Sequence, residues 1–208
     1  MEIDSKEVRK MIFALVAVAT VATLALGFTE QLTRAPIQEA RKAAMLTLLG
    51  QVLPIHDNDA MQDSFDYTLS DKPTRFYPAF NQKGELQALA WQIVAPDGYA
   101  GKIHMIVAVD VFAKLVAMRV IEHRETPGLG DGIVDDQVWL NAFAGKDLVS
   151  THWNVKKDGG DFDQFTGATI TPRAVVHAVQ RALVVFQKNQ KALQKKALSE
   201  QAKIASTQ

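Results

Sequence analysis

The first long pattern is an uncharged, almost wholly apolar run. From Met11 to Phe28 the chain reads MIFALVAVATVATLALGF, uncharged throughout, with Thr20 and Thr23 as its only polar side chains. That length is close to the ~20 residues that cross a bilayer as a helix. It exceeds the ~7–15 apolar residues of a cleaved signal, although TLALGFTEQ offers small residues for cleavage, so the pattern favours an uncleaved anchor. A helical period follows: Ile37, Ala40, Ala44 and Leu48 share one stripe, and Pro36 is expected to bend or restart the helix. A stalk helix packed on the following domain is the simpler reading, and a partner-binding helix the alternative.

The period then changes from helical to alternating. TRFYPAF and ELQALAWQIVA flank Asn81-Gln82-Lys83-Gly84, a hairpin signal with glycine available for a positive φ. KIHMIVAVDV and KLVAMRVIEH form a second pair around Phe112-Ala113, with Ile103, Met105, Val107 and Val109 on one face. Asp136 to Phe143 reads as a short helix. From Pro172 onward Val175, Val176, Val179, Leu183 and Phe186 repeat at helical spacing. The pattern then fades into QKNQKALQKKALSEQAKIASTQ, which reads as a solvated helix end or a frayed terminus. The fold class is therefore α+β: an N-terminal transmembrane helix, then an antiparallel sheet with flanking helices.

Composition narrows the function classes. The 208 residues carry 23 basic and 23 acidic side chains, spread along the chain, which leaves no electrostatic footprint for nucleic acid. With no cysteine, disulfides, thiolate zinc sites, cysteine-held iron–sulfur clusters and c-type haem attachment are excluded. Lys6, Arg9 and Lys10 precede the apolar run, and Arg34 is the nearest basic residue after it. The positive-inside rule then favours a cytoplasmic N-terminus and an exported C-terminal domain. His56, His104, His123, His152 and His177 show no ligand spacing, and Trp91, Trp139 and Trp153 read as core aromatics. Asp57-Asn58-Asp59 and Asp135-Asp136 read as turns and helix starts rather than cation sites.

Two stretches stand apart from ordinary turns. In GGDFDQFTGATITPRAV, residues 159–175, three threonines crowd one helix start. Thr171 before Pro172 is a good N-cap and N1 pair, so a helix is expected to begin there, with its free N–H groups and positive dipole end facing the preceding loop. An anion is favoured at such a position, and Thr169 is presented beside it, with Gly167 and Ala168 keeping bulk away. The plainer reading is a capped loop with redundant hydroxyls. The other stretch, EHRETPGLGDGI at 122–133, is a glycine-rich turn after a strand; it lacks the spacing of a phosphate loop.

Asp163-Gln164-Phe165-Thr166-Gly167-Ala168-Thr169 resembles the acceptor motif of covalently flavinylated proteins, Asp-x-x-Ser/Thr-Gly-Ala-Thr. Together with APDGYAGKIHM, ETPGLGD and the apolar N-terminal run, it resembles the G subunit of the Rnf-type, or Rsx, ion-translocating electron-transport complex. More distantly the chain is similar to the C subunit of sodium-translocating NADH:quinone oxidoreductase. The resemblance implies FMN esterified through its phosphate to Thr169, installed from FAD by a separate magnesium-dependent flavin transferase that recognises Asp163. It implies that Thr166 shapes the loop or contacts the phosphate, and that Thr171 caps the helix. Glu125, Thr126, Gly128, Leu129 and Gly130 would approach the flavin or its ribityl chain, and Lys156 or Lys157 would offset negative charge.

The organisation that follows is a cytoplasmic segment 1–10, an anchor 11–28, a stalk 29–54, an FMN-binding domain 55–190 and a polar tail 191–208. The implied setting is a bacterial inner membrane with the domain in the periplasm, among other subunits of the complex. The implied role is an electron carrier rather than a stand-alone enzyme. Two other classes compete with it. One is an anchored adaptor without cofactor; the other is a hydrolase with a threonine nucleophile, disfavoured because no Gly-x-Ser-x-Gly elbow or base partner is visible.

Overall fold

In the computed structural model, residues 5–69 and 72–205 are described; the ends of the expected cytoplasmic segment and polar tail lie outside them. The chain divides into two units, Met1–Met45 and Leu46–Gln208. The described residues of the first belong to helix α1, Ser5–Val52, which is long and apolar enough to cross a membrane. Its threonines need no outside partner: Thr20 donates to the Val16 carbonyl at 2.7 Å and Thr23 to that of Ala19 at 2.8 Å. Such back-bonding satisfies a hydroxyl where no water is at hand. The restart expected at Pro36 does not occur, because the helix runs through it. Along the expected stripe, Ile37, Ala40 and Ala44 fall in the first unit; in the second, Leu48 is half-buried and Leu49 and Val52 are buried.

The second unit is built on a five-stranded antiparallel meander. Its strands β1 (Phe65–Leu69), β2 (Lys72–Phe80), β3 (Leu86–Ala95), β4 (Ile103–Asp110) and β5 (Leu115–Glu122) lie side by side in chain order. Both expected hairpins are present. In the first, Gly84 takes φ +74° and returns an N–H to Asn81 at 2.8 Å. In the second, the Asp110 carboxylate collects the N–H groups of Phe112 and Lys114, both at 2.8 Å, which holds Ala113 at φ +64° without a glycine. Strand β1 falls outside the alternation described above. It is fixed by its pairing with β2, where Phe65 stands opposite Phe76 and their rings stack at 5.7 Å.

Helix α4, Ile170–Ala205, covers one face of the sheet. Ile103, Met105, Val107 and Val109 are all fully buried towards the core that includes it. The contact centres on Phe186, whose ring stacks on Trp91 at 5.6 Å, with Phe76 behind it at 5.4 Å. The helix also continues through the segment expected to fade. Leu193 and Ala197 extend the buried stripe beyond Phe186 by steps of seven and four residues, and Gln190 and Gln194 both donate to the Val111 carbonyl. The polar residues of that segment are the outer face of a packed helix, so the expected boundary at 190/191 falls inside an element.

The chain between sheet and α4 is held by a second aromatic cluster. Short helices α2 (Gly132–Asp135) and α3 (Gln137–Asn141) lead into it, α3 being capped by Asp136 Oδ1 on the Trp139 N–H. Trp139, Phe143, Trp153, Phe162 and Phe165 interlock, with Phe143 stacked on Phe162 at 4.4 Å. All three tryptophans are core residues, as expected. Truncating Phe186 to alanine leaves a cavity between sheet and helix, with an expected loss of about 3–5 kcal/mol. Denaturant unfolding of the detergent-solubilised chain measures it; a loss below about 1 kcal/mol would contradict this packing role.

Candidate functional site

Three loops converge where α4 begins. The turn after β5 is shaped by Pro127 and Gly128: Leu129 donates to the Thr126 carbonyl at 3.1 Å, and Gly128 takes φ +76°. Pro at the second and Gly at the third position are what a type II turn requires. The turn at residues 165–168 closes in the same way, with the Ala168 N–H on the Phe165 carbonyl at 3.1 Å and Gly167 at φ +77°. The third loop, 96–101, links β3 to β4.

Between them lies a cleft of about 370 Å³, lined by Tyr99, Glu125, Thr126, Leu129, Gly130 and residues 167–171. Small-molecule sites typically measure ~300–1,000 Å³. The walls combine apolar surface from Tyr99, Leu129 and Ile170 with the polar start of a long helix. Tyr99 is 68% exposed and is missing from the residues singled out by sequence; an aromatic between the two glycines of DGYAG was the available signal.

Among the three threonines the structure distinguishes sharply. Helix α4 starts at Ile170, and the Thr169 carbonyl already accepts the Arg173 N–H at 3.3 Å. The expected N-cap at Thr171 is therefore corrected: Thr171 lies in the first turn, fully buried, and its hydroxyl donates to Glu125 Oε2 at 2.6 Å. Glu125, itself 5% exposed, also accepts the Ala100 N–H on Oε1 at 3.1 Å. Thr166 is exposed and lines an adjoining shallow groove with Gly128, Gln164 and Phe165 rather than the cleft. Thr169 is half-buried in the cleft, and its hydroxyl has no hydrogen-bond partner among the described residues.

Two further expected residues stand outside the cleft. Asp163 is exposed and paired with Lys156 Nζ at 2.7 Å, while its carbonyl accepts Trp139 Nε1 at 2.8 Å. Lys157 gives its backbone N–H to Gln164 and contributes nothing to the cleft wall. The reason is a 3-10 turn at Lys156–Asp158 that is clasped elsewhere: Arg173 binds Asp158 through two nitrogens, at 2.6 and 3.1 Å. Asn154 and His177 join the same segments at 2.8 Å. Asp59 Oδ1 accepts the N–H groups of Met61 and Gln62, and no metal-binding cluster occurs among the described residues.

The cleft and its glycine turns define a class before they define a protein. Residues 98–184 match the FMN-binding domain family. The fold is similar to the crystal structure of Shewanella oneidensis NqrC, with a TM-score of 0.51 and 24% identity, covering 67% of this chain and 75% of that one. At the level of the whole chain, the G subunit of the ion-translocating oxidoreductase complex of Photorhabdus laumondii is 42% identical over 186 residues, 83% of this chain and 88% of that protein. The Stutzerimonas stutzeri protein of the same name is 45% identical, over 88% of this chain and 80% of its own. The chain belongs to the family of G subunits of ion-translocating oxidoreductase complexes.

The loop before α4 is held by carboxylates with lowered pKa. A hydrogen bond from the Arg173 guanidinium holds Asp158 below its ordinary value, and the His152 backbone N–H does the same for Asp161. A carboxyl lowered in the folded chain stabilises it above its unfolded value, and that contribution is lost as pH falls through the lowered value. Loop 151–168 is therefore expected to be nicked faster by a pepsin-type protease as pH drops below the usual carboxylate range. Asp158→Asn should already nick faster than wild type at higher acidic pH, and the two should converge as pH falls. Identical cleavage profiles across the range would contradict the clasp.

Proposed function

We propose that this chain is the anchored flavin-carrying subunit of an ion-translocating redox complex, holding FMN on a phosphoester to Thr169. The observation that carries the proposal is the division among the threonines: one hydroxyl is committed to Glu125, one lines a different groove, and the third enters the cleft uncommitted. The residues fit the group. The N–H groups and dipole at the start of α4 suit a phosphate. Gly167 and Ala168 leave the backbone accessible, and Tyr99, Leu129 and Ile170 offer apolar surface to a ring system. Bound there, the isoalloxazine would accept and donate electrons.

The chain's own part is to bind, orient and shield. Thr169 Oγ would attack the flavin-bearing phosphorus of FAD, releasing AMP and the hydroxyl proton, under the action of a separate transferase with magnesium. Asp163, exposed beside Lys156, is available for that enzyme to recognise. Thr126, Leu129 and Gly130 would face the flavin, with the hydrogen-bonded pair Glu125 and Thr171 buried in the floor beneath them and Thr166 and Gly128 at the margin of the site. Helix α1 would fix the domain at the bacterial inner membrane with a cytoplasmic N-terminus and a periplasmic domain, where a covalent tether prevents loss of a diffusible cofactor. Other membrane subunits would supply and remove the electrons.

In-gel flavin fluorescence after full denaturation tests this reading. The expected result is a fluorescent band only on co-expression with a flavin transferase, abolished in Thr169→Ala while the variant stays folded and membrane-bound. A dark band from folded wild-type protein in both cultures would contradict it and leave an adaptor without cofactor.

A further inference from the structure

The floor of the cleft contains one carboxyl group that binds no cation among the described residues. Glu125 is held between two neutral donors from distant parts of the chain: Ala100 N–H on Oε1 at 3.1 Å and the Thr171 hydroxyl on Oε2 at 2.6 Å. Its neighbours are shaped around it. A Cβ at Gly130 would lie 2.9 Å from Glu125 Oε2, 2.9 Å from Thr171 Oγ1 and 3.0 Å from Glu125 Cβ. A Cβ at Gly98 would lie 2.8 Å from Oε1, besides colliding with the Gly101 carbonyl. Gly130 has no positive φ, so conformational freedom does not explain it; room for the hydrogen-bonded pair does.

We propose that Glu125 is a positioning residue for the flavin-bearing threonine, acting through Thr171 rather than by touching the flavin. The proposal rests on the reading of Thr169 as the attachment site. With both oxygens engaged and the side chain almost wholly shielded, Glu125 has little surface left for a ligand. Thr171 stands two residues beyond Thr169 in the first turn of α4, so anchoring its side chain fixes the rotation of that turn and the direction in which Thr169 Oγ points. The other oxygen holds Ala100 and, through the adjoining peptide, the exposed ring of Tyr99. One carboxyl group thus sets the nucleophile and one wall of the cleft together. Gly130 keeps the space in which this happens. Misplacement of a reacting hydroxyl by about 1 Å can cost on the order of a hundredfold in rate.

The test is the rate of covalent flavin attachment to the purified full-length chain in detergent, with transferase, FAD and magnesium, below the melting transition of every variant. Thr171→Val, which keeps shape but removes the hydroxyl, and Gly130→Ala, which keeps every hydrogen-bonding group but crowds them, should each load about ten- to a hundredfold more slowly. Thr171→Ser, which restores the hydroxyl, should load near the wild-type rate. A purely structural role would lower the melting temperature without changing the loading rate, so a folded Thr171→Val or Gly130→Ala that loads as fast as wild type overturns the proposal. If Thr171→Val does not fold, Gly130→Ala decides alone. A wild-type chain that never loads overturns the attachment reading itself, and this proposal with it, which is a separate result from a wild type that loads beside unaffected variants.

Discussion

The hydrogen bond between Thr171 and Glu125 joins the two halves of the domain at the point where they must meet. One partner follows the sheet's last strand and the other opens the long helix, 46 residues apart in the chain. Both are buried, so neither can turn to water if the other is lost. An unpaired buried donor or acceptor costs about 1–3 kcal/mol, a large share of a domain's net stability. The same carboxyl group takes the Ala100 N–H, so loop 96–101 shares the constraint. What results is a cleft whose three walls cannot shift independently.

Helix α4 carries this local geometry across the domain. At its start it meets Glu125; on the way Arg181 approaches Asp97 at 3.7 Å, and Phe186 stacks on Trp91; further on Gln190 and Gln194 hold the β4–β5 hairpin at Val111. The loop that leads into α4 has separate support in the aromatic cluster beneath it and in the Arg173–Asp158 clasp. The exposed surface pairs contribute little to stability by themselves. Their effect is to restrict a loop that would otherwise be free on its outer side.

Much of the fold could be read from local pattern. Alternation over β2 to β5, with Gly84 at one turn, locates the two hairpins, and the stripe from Val175 to Phe186 locates α4. What escaped depended on contacts distant in sequence. Phe65–Leu69 is a strand because β2 and the Phe76 ring await it, and five residues alone do not announce that. The polar segment beyond Phe186 hides Leu193 and Ala197 among lysines and glutamines, and only the sheet beneath reveals their burial. At the site, the local capping rule favoured Thr171, yet a partner 46 residues upstream takes that hydroxyl and the helix starts earlier. Lys156 and Lys157 could be noticed as basic, but whether they face the cleft is decided by a 3-10 turn and its clasp.

Membership of the G-subunit family and a cleft bounded by Tyr99, Leu129 and the start of α4 leave one central chemical claim, the identity of the bond at Thr169. Mass mapping of the tryptic fragment 158–173 from protein co-expressed with a flavin transferase tests it most directly, because that fragment contains Thr166, Thr169 and Thr171 together. The expected fragment is heavier by one FMN phosphoester, with fragmentation placing the added mass on Thr169. An unmodified fragment, or the mass on Thr166 or Thr171, would contradict it.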